Sequence, residues 1–299
     1  MIADIISSIN SDALEITLEA NPEDITAQRL SVYKDIGITR LSLGVQSFNL
    51  RYERLLGRGC SIQQAKKAIH LIQQAEFDSW SLDLMFGLPD QTISELQADL
   101  SIILSIRPPH LSLYGLTYEE GTPFTRALAE GKLQDIGEDT WLTMFDQIAT
   151  SLQQAGYKRY EVSNFCLPEH QAVHNEAIWR NGHYAGLGPG AHGFLHNGYR
   201  THQSPSWDDW LKSSQPDIEI PSVQQHAIDA VLTWIRHRDG IPLEALTQLG
   251  FHFSFHRLEP LLSEGYVKRE ENTILLAKKG WSIVDSITKQ LIAGLTPNN

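Results

Sequence analysis

A repeated alternation of strand and helix patterns in the first half of the chain most constrains its fold. The segment "LEITLEANP" alternates apolar residues with period two up to Pro22, and a helical pattern follows until Gly37. The segments "ITRLSLGVQSF", "WSLDLMFGLP" and "HLSLYGLT" repeat the strand pattern. The helices between them open at Ser61 and at a capping box from Thr92 to Glu95. This alternation predicts an α/β fold with right-handed crossovers and a parallel sheet, open or curled toward a barrel.

Composition places the chain among ordinary globular proteins. Of its 299 residues, 41% are apolar and 20% are charged, and no window holds the ~18 apolar residues that a transmembrane helix needs. The formal net charge of −12 repels phosphate backbones, and no cluster of positive charge offsets it, so we expect no nucleic-acid partner. Cys60 and Cys166 lie far apart, which disfavours a disulfide framework and indicates a reducing, cytoplasmic location.

Polar residues stand at the ends of the four predicted strands: Glu19, Gln46, Asp83 and Thr117. The carboxyl ends of parallel strands meet where ligands bind in such folds, so we expect these side chains to share one site. Arg58 lies between two glycines, which allow the backbone to approach a ligand closely. Two alternatives stay open: the strand-end side chains cap helices or bind loop backbone, and Arg58 is a solvated loop charge.

Several ordered motifs carry a resemblance to a known family. They are "EITLEANPEDIT", "RLSLGVQSFN", "LDLMFGLPDQT", "HLSLYGLTYEEGTPF", "YEVSNF" and "HNEAIW" followed by "GPGAH". In this order and spacing they resemble the radical S-adenosylmethionine family of oxygen-independent coproporphyrinogen oxidases, across essentially the whole chain. The resemblance implies a partial (β/α) barrel that binds S-adenosylmethionine over a [4Fe–4S] cluster.

The same resemblance implies which residues contact S-adenosylmethionine. The positions that match the family's cofactor motifs are Glu19, Gln46, Arg58 and Asp83. Thr117 and His192 align with further positions that line the cofactor. Carboxylates suit ribose hydroxyls and an ammonium group, and an arginine suits the ligand's carboxylate.

The sequence departs from the family pattern at its front. Family members carry a cysteine triad and a glycine-rich loop upstream of the strand that ends in Glu19, and this sequence contains neither. Such a cluster needs three thiolates on one loop, which Cys60 and Cys166 cannot supply. We therefore expect a barrel without its first units and no cluster ligands, from a start assigned too late or a truncated gene. A chain of this kind is not expected to be catalytic alone.

A histidine-aromatic motif comprises His174, Asn175 and Trp179. It resembles an HNxxYW-type signature of heme-binding chaperones within the family, with Ile178 where tyrosine is usual. Heme iron takes imidazole, and its flat apolar face suits an indole. The resemblance thus implies a chaperone that passes heme to an acceptor protein, with membrane-associated acceptors included. The alternative function is a coproporphyrinogen III oxidase or dehydrogenase of porphyrin biosynthesis, and the alternative role of His174 is to cap a helix or bind backbone.

The sequence also predicts a domain organisation. We expect the partial barrel over 1–130, an extension that packs on the barrel mouth over 131–200, a linker over 201–221 and a C-terminal domain over 222–299. In the last region, three helical segments precede the hairpin "YVKREENTILLAKKG" and a final helix, an order that resembles a winged-helix module. Its basic and acidic residues balance, whereas a DNA-reading helix needs net positive charge, so we expect a lid or interaction domain.

Overall fold

The computed structural model describes residues 2–8, 13–56, 61–213 and 215–298. The chain forms two compact units, Met1–Gln171 and Ala172–Asn299. This division falls elsewhere than the domain limits expected at 130, 200 and 221, which stay a prediction. Within the described ranges, no helix combines the length and the apolar character needed to cross a bilayer.

A six-stranded sheet forms the centre of the first unit. Its strands are β1 (Thr17–Ala20), β2 (Arg40–Gln46), β3 (Ser79–Phe86), β4 (His110–Gly115), β5 (Lys158–Arg159) and β6 (Asn164–Cys166). Their order in the sheet is β1-β2-β3-β4-β6-β5. The first four strands pair in parallel, as the sequence predicts. The short strands β5 and β6 pair antiparallel at one edge, which the strand-helix alternation does not predict.

Helices precede, connect and follow the parallel strands of this unit. They are α1 (Ile2–Ser8), α2 (Ala27–Asp35), α3 (Leu50–Leu55), α4 (Ile62–Ala75), α5 (Ile93–Ile106), α6 (Pro123–Ala129) and α7 (Glu138–Gln154). Both sequence-derived helix starts are confirmed: Ser61 caps α4 and Thr92 caps α5, each in a complete capping box. These boxes satisfy backbone N–H groups that a helix otherwise leaves unpaired in its first turn.

The two faces of the sheet differ in chemistry. On one face, leucines of the central strands are buried in the core: Leu41, Leu43, Leu82, Leu84 and Leu111. Because side chains alternate along a strand, the intervening residues share the opposite face. The strand register places Glu19 beside Ser42, and Asp83 beside Ser112, on that face. The sheet is therefore a scaffold that aligns polar side chains along one surface.

The second unit begins with α8 (Val173–Trp179) and a three-stranded antiparallel sheet. The strands are β7 (His192–Phe194), β8 (Arg200–His202) and β9 (Asp217–Glu219), with α9 (Trp207–Lys212) between the last two. Most of β8, all of α9 and all of β9 lie in the segment 201–221, where the sequence analysis placed a linker. The short strands escaped that analysis because three residues are too few to display an alternating pattern.

The rest of the second unit has the element order of a winged helix. It contains α10 (Val223–Trp234), β10 (Ile241–Pro242), α11 (Leu243–Gln248), β11 (Phe251–Phe253), α12 (Phe255–Ser263), β12 (Val267–Glu270), β13 (Thr273–Leu276), α13 (Val284–Ala293) and β14 (Leu295–Pro297). The hairpin β12-β13 takes β10 as a third strand, and β14 pairs with β11. The predicted fold class, an α/β partial barrel followed by a winged-helix-like part, is confirmed.

Candidate functional site

Asp83 lies at the centre of the polar face of the first unit's sheet. Its Oδ2 accepts a hydrogen bond from the Ser42 hydroxyl at 2.8 Å, and Ser42 Oγ lies 2.6 Å from Ser81 Oγ. Burial raises the pKa of Asp83, hydrogen bonds from Ser112 and Ser42 oppose that rise, and the charge of Glu19 adds to it. Asp83 binds serines of the neighbouring strands, so it caps no helix. This surface offers carboxylate acceptors to hydroxyl and ammonium groups.

Gln46 ends β2 in an unusual conformation. Its φ of 70° lies in the left-handed region, and the pairing with β3 shifts register between Gly44 and Gln46. A Cβ atom added to Gly44 would lie 3.0 Å from Gln46 Nε2 and 3.8 Å from Asn21 Oδ1. The Gln46 amide therefore lies over Gly44, close to the carboxyl end of β1. The absence of a side chain at Gly44 leaves the space that this amide uses.

The loop after β2 is tied to α5 by a residue that the sequence analysis missed. Asp99 accepts hydrogen bonds from the Ser47 hydroxyl at 2.7 Å and from the Phe48 N–H at 3.1 Å. Burial raises the pKa of Asp99, and these two hydrogen bonds oppose the rise. Glu95, one turn earlier on α5, accepts hydrogen bonds from Asn49 of the loop and from Tyr52 of α3. The loop leads toward Arg58, which lies outside the described residues.

The end of β4 contributes an aromatic hydroxyl to the same face. Burial raises the pKa of Tyr114 to about 12, and the charges of Asp83, Glu161 and Glu19 act in the same direction. Tyr114 is not among the residues that the sequence motifs indicate, although its position two residues after Ser112 in an alternating strand places it on the same face. Thr117 lies two residues beyond the end of β4 and is exposed.

The segment "YEVSNF" contributes two buried residues beside β4. The Tyr160 hydroxyl lies 2.8 Å from His110 Nε2, and both side chains are buried. Glu161 is 1% exposed, and burial raises its pKa to about 7 although Ser163 donates a backbone hydrogen bond and Arg159 lies nearby. A carboxyl group in this setting carries a proton over part of the neutral pH range.

The helix α8 carries the histidine-aromatic motif. Ala172 is its N-cap and makes no side-chain hydrogen bond, so the alternative that His174 caps this helix is wrong. His174 is exposed, and its ring meets Tyr184 edge-on with ring centroids 6.4 Å apart. Across the described chain, no hydrogen bond or ion pair involves its imidazole, so its nitrogens are available to a ligand. Asn175 and Trp179 are half-buried on the same helix.

A cavity of about 550 Å³ lies within the second unit. His192 on β7 and His202 on β8 both line it. They occupy directly paired positions, and their rings stack with centroids 4.3 Å apart and an interplanar angle of 24°. His192, which the resemblance placed at the S-adenosylmethionine site, thus belongs to the wall of this cavity. Tyr184, the ring neighbour of His174, lines the cavity as well.

The residues of this sequence suit S-adenosylmethionine better than an iron–sulfur cluster. Glu19, Gln46 and Asp83 offer oxygen and amide groups for hydroxyl, ammonium and carboxylate partners. The sequence contains two cysteines, of which Cys166 is buried in β6 and Cys60 lies outside the described residues. Among the residues described, no three histidine, cysteine, aspartate or glutamate side chains are placed to hold a metal ion. This donor set does not fit a cluster held by three thiolates.

Comparisons with known proteins match this chain to one superfamily. Residues 1–103 match the Radical SAM superfamily. The "Heme chaperone HemW" of Lactococcus lactis is 29% identical over 287 residues, which cover 93% of this chain and 75% of that protein. The bovine "Radical S-adenosyl methionine domain-containing protein 1, mitochondrial" (Bos taurus) is 35% identical over 301 residues, which cover 94% of this chain and 68% of that protein. The chain spans about half the length of several other curated relatives that it matches.

A solved structure shares the fold. Coproporphyrinogen III oxidase (HemN) from Escherichia coli superposes with a TM-score of 0.79 over 97% of this chain and 73% of that chain. The sequence identity is 20%, so this likeness shows the fold alone. The family is shown by the bovine relative, at 35% identity over 68% of that protein. The chain belongs to the radical SAM superfamily, as a HemW-like member.

Proposed function

We propose that this protein is a heme chaperone, which binds heme and passes it to an acceptor protein. The name of the HemW relatives supports this function. The observation that carries the proposal is the state of His174: the ring is exposed, its one ring neighbour is Tyr184, and no described residue bonds to its nitrogens. An exposed imidazole whose nitrogens make no bond within the described chain is accessible to an external metal centre such as heme iron.

The position of His174 suits transfer as well as binding. An imidazole nitrogen donates a lone pair to heme iron, and the flat apolar ring of heme packs well on aromatic surfaces. Trp179, half-buried on the same helix, offers such a surface, and Asn175 adds a polar group beside it. Because His174 is exposed, a ligand of the acceptor can reach the iron and replace it. Soluble and membrane-bound acceptors are both compatible with this step.

S-adenosylmethionine is the second proposed ligand. We assign its binding to Glu19, Gln46, Arg58 and Asp83, with Thr117 as a further contact; His192, which the resemblance also suggested, lies in the wall of the second unit's cavity instead. In radical SAM proteins this ligand and a [4Fe–4S] cluster together supply radical chemistry. The residues of this chain would bind and orient S-adenosylmethionine through the half-buried carboxylate of Asp83 and the amide of Gln46. No step is assigned to a cluster, because the cysteines of this sequence do not fit one.

A heme-transfer assay tests the proposed function. The protein loaded with one equivalent of heme is mixed with apomyoglobin, and with membranes that contain a heme-depleted cytochrome b, in parallel. We expect the absorption spectrum of the acceptor's holo form to appear faster than from the same amount of heme on serum albumin. Equal rates from both donors would contradict a chaperone role. Turnover of coproporphyrinogen III without heme transfer would support the alternative oxidase function instead.

A further inference from the structure

The contacts of two histidines in the second unit, His192 and His202, do not indicate a structural role for them. His192 and His202 face each other across β7 and β8, with ring centroids 4.3 Å apart. In the described ranges of the chain, neither imidazole takes part in a hydrogen bond or an ion pair. Both line a cavity of about 550 Å³, within the size range of small-molecule sites. The nitrogens of these two imidazoles are therefore available to coordinate a metal ion of a molecule bound in the cavity.

The remainder of the cavity wall favours a large, flat, apolar molecule. Phe194 and Tyr184 contribute aromatic rings, and Ile178, Ile218 and Leu232 contribute aliphatic side chains. Ile178 lies one turn after His174 on α8, so the motif helix itself forms part of the wall. His183 packs on Phe194 with centroids 5.1 Å apart, which holds that ring in place.

Charge determines how an anionic macrocycle would lie in the cavity. The wall carries the carboxylates of Asp217, Glu219 and Asp229 and one arginine, Arg200. Arg200 is already paired, with Glu219 at 3.0 Å and with Asp229. Carboxylates repel the propionates of heme, so the propionate edge must point to solvent and the apolar edge inward. That orientation leaves the centre of the ring available to an imidazole of the wall.

We propose that this cavity is the seat of the porphyrin ring and that the His192–His202 pair supplies an axial imidazole to its iron, in addition to His174. The inference rests on the proposed function, since it specifies where heme is held. Coordination moves a nitrogen lone pair into an iron–nitrogen bond and releases a solvent molecule from the iron, with no change in oxidation state. The second histidine of the pair stacks on the ligand and orients its ring.

Heme titration of the full chain with matched variants tests the pair. The variants are H192A/H202A, H174A and, as control, H196A, which removes an exposed histidine of the same hairpin outside the cavity wall. Circular dichroism verifies that each variant is folded. The readouts are the visible spectrum and the electron paramagnetic resonance signal of ferric heme. We expect a low-spin, six-coordinate spectrum for the wild type and H196A, and a high-spin spectrum for H192A/H202A.

Added imidazole distinguishes the loss of an iron ligand from the loss of the heme-binding cavity itself. In H192A/H202A we expect millimolar imidazole to restore the low-spin spectrum, because the ring is still held and only the ligand is missing. A low-spin spectrum of H192A/H202A without added imidazole overturns the inference about the pair. If H174A loses the low-spin spectrum in the same experiment, heme binding through His174, and with it the proposed function, still stands. Loss of the low-spin spectrum in H192A/H202A with H174A unchanged supports the pair and contradicts the role of His174. No heme binding by the wild type overturns both.

Discussion

The carboxylate of Asp99 accepts a hydrogen bond of 3.1 Å from the backbone N–H of Phe48, so a buried side chain of α5 holds the loop that follows β2. Asp99→Ala would leave that N–H and the Ser47 hydroxyl without this partner. We expect a loss of about 1–3 kcal/mol in the free energy of unfolding, the usual cost of an unmatched buried polar group. Urea denaturation measures it. Asp35→Ala, at the exposed end of α2, is the control and should change stability by less than about 0.5 kcal/mol.

Glu161 makes stability depend on pH. Its pKa is raised from 4.5 to about 7 by burial. The folded state therefore binds this proton more tightly than the unfolded state, and the resulting stabilisation is full below pH 4.5 and is lost as pH rises through about 7. The shift corresponds to about 3 kcal/mol at most.

Glu161→Gln tests this dependence, because glutamine keeps an acceptor for the Ser163 N–H and does not ionise. Urea unfolding at about pH 5 and about pH 8 should show a smaller fall in stability for the variant than for the wild type, with the variant more stable at the higher pH. Contributions of the other titrating groups cancel in the difference between the two proteins. Parallel pH profiles would show that Glu161 does not titrate as its burial implies.

Asp83 is expected to be the strongest single contributor to S-adenosylmethionine binding. Asp83→Asn removes its negative charge and keeps its size, and we expect the dissociation constant to rise about tenfold to a hundredfold. Isothermal titration calorimetry measures the change. Asp78→Asn, an exposed aspartate just before the opposite end of the same strand, is the matched control and should bind as the wild type does. Equal affinity in Asp83→Asn would place the ligand elsewhere.

Because the sequence has two cysteines, we expect this chain not to assemble a [4Fe–4S] cluster. Cys166 is buried in β6, and the sequence has one other cysteine, Cys60. Anaerobic reconstitution with iron and sulfide, followed by dithionite and S-adenosylmethionine, should yield neither a stoichiometric [4Fe–4S] cluster nor 5′-deoxyadenosine, because three thiolates are required. Near-stoichiometric cluster with 5′-deoxyadenosine formation would show that this chain finds another donor set.

Local signals made the parallel part of the sheet predictable. The capping boxes at Ser61 and Thr92 mark where helices start, and period-two alternation marks β2 and β3. The sequence analysis also placed Glu19 and Asp83 at the ends of strands, but β3 continues for three residues beyond Asp83, to Phe86, so Asp83 lies within its strand. Short strands such as β5 and β7 display no period, so their pairing depends on tertiary contacts that a sequence window does not contain.

The contacts that complete the candidate sites are long-range. In the sequence, Asp99 is a polar residue on the otherwise apolar face of α5. Its hydrogen-bond partner Phe48 lies 51 residues away, so the sequence around Asp99 does not reveal this contact. His192 and His202 become neighbours through the register of β7 and β8, which turn geometry and pairing decide rather than the motif "GPGAH". The motif histidine His174, by contrast, is a candidate that the sequence alone can name, because the proposed chemistry depends on its identity and not on its contacts.

Heme titration of the wild type and His174→Ala, followed in the Soret region, tests the central claim most directly. His256→Ala, which removes an exposed histidine of α12, is the control. We expect a saturable Soret band for the wild type and the control, and a shifted or weaker band with lower affinity for His174→Ala, because the variant lacks an axial imidazole. Identical titration curves and spectra for the wild type and His174→Ala would contradict heme binding through this residue.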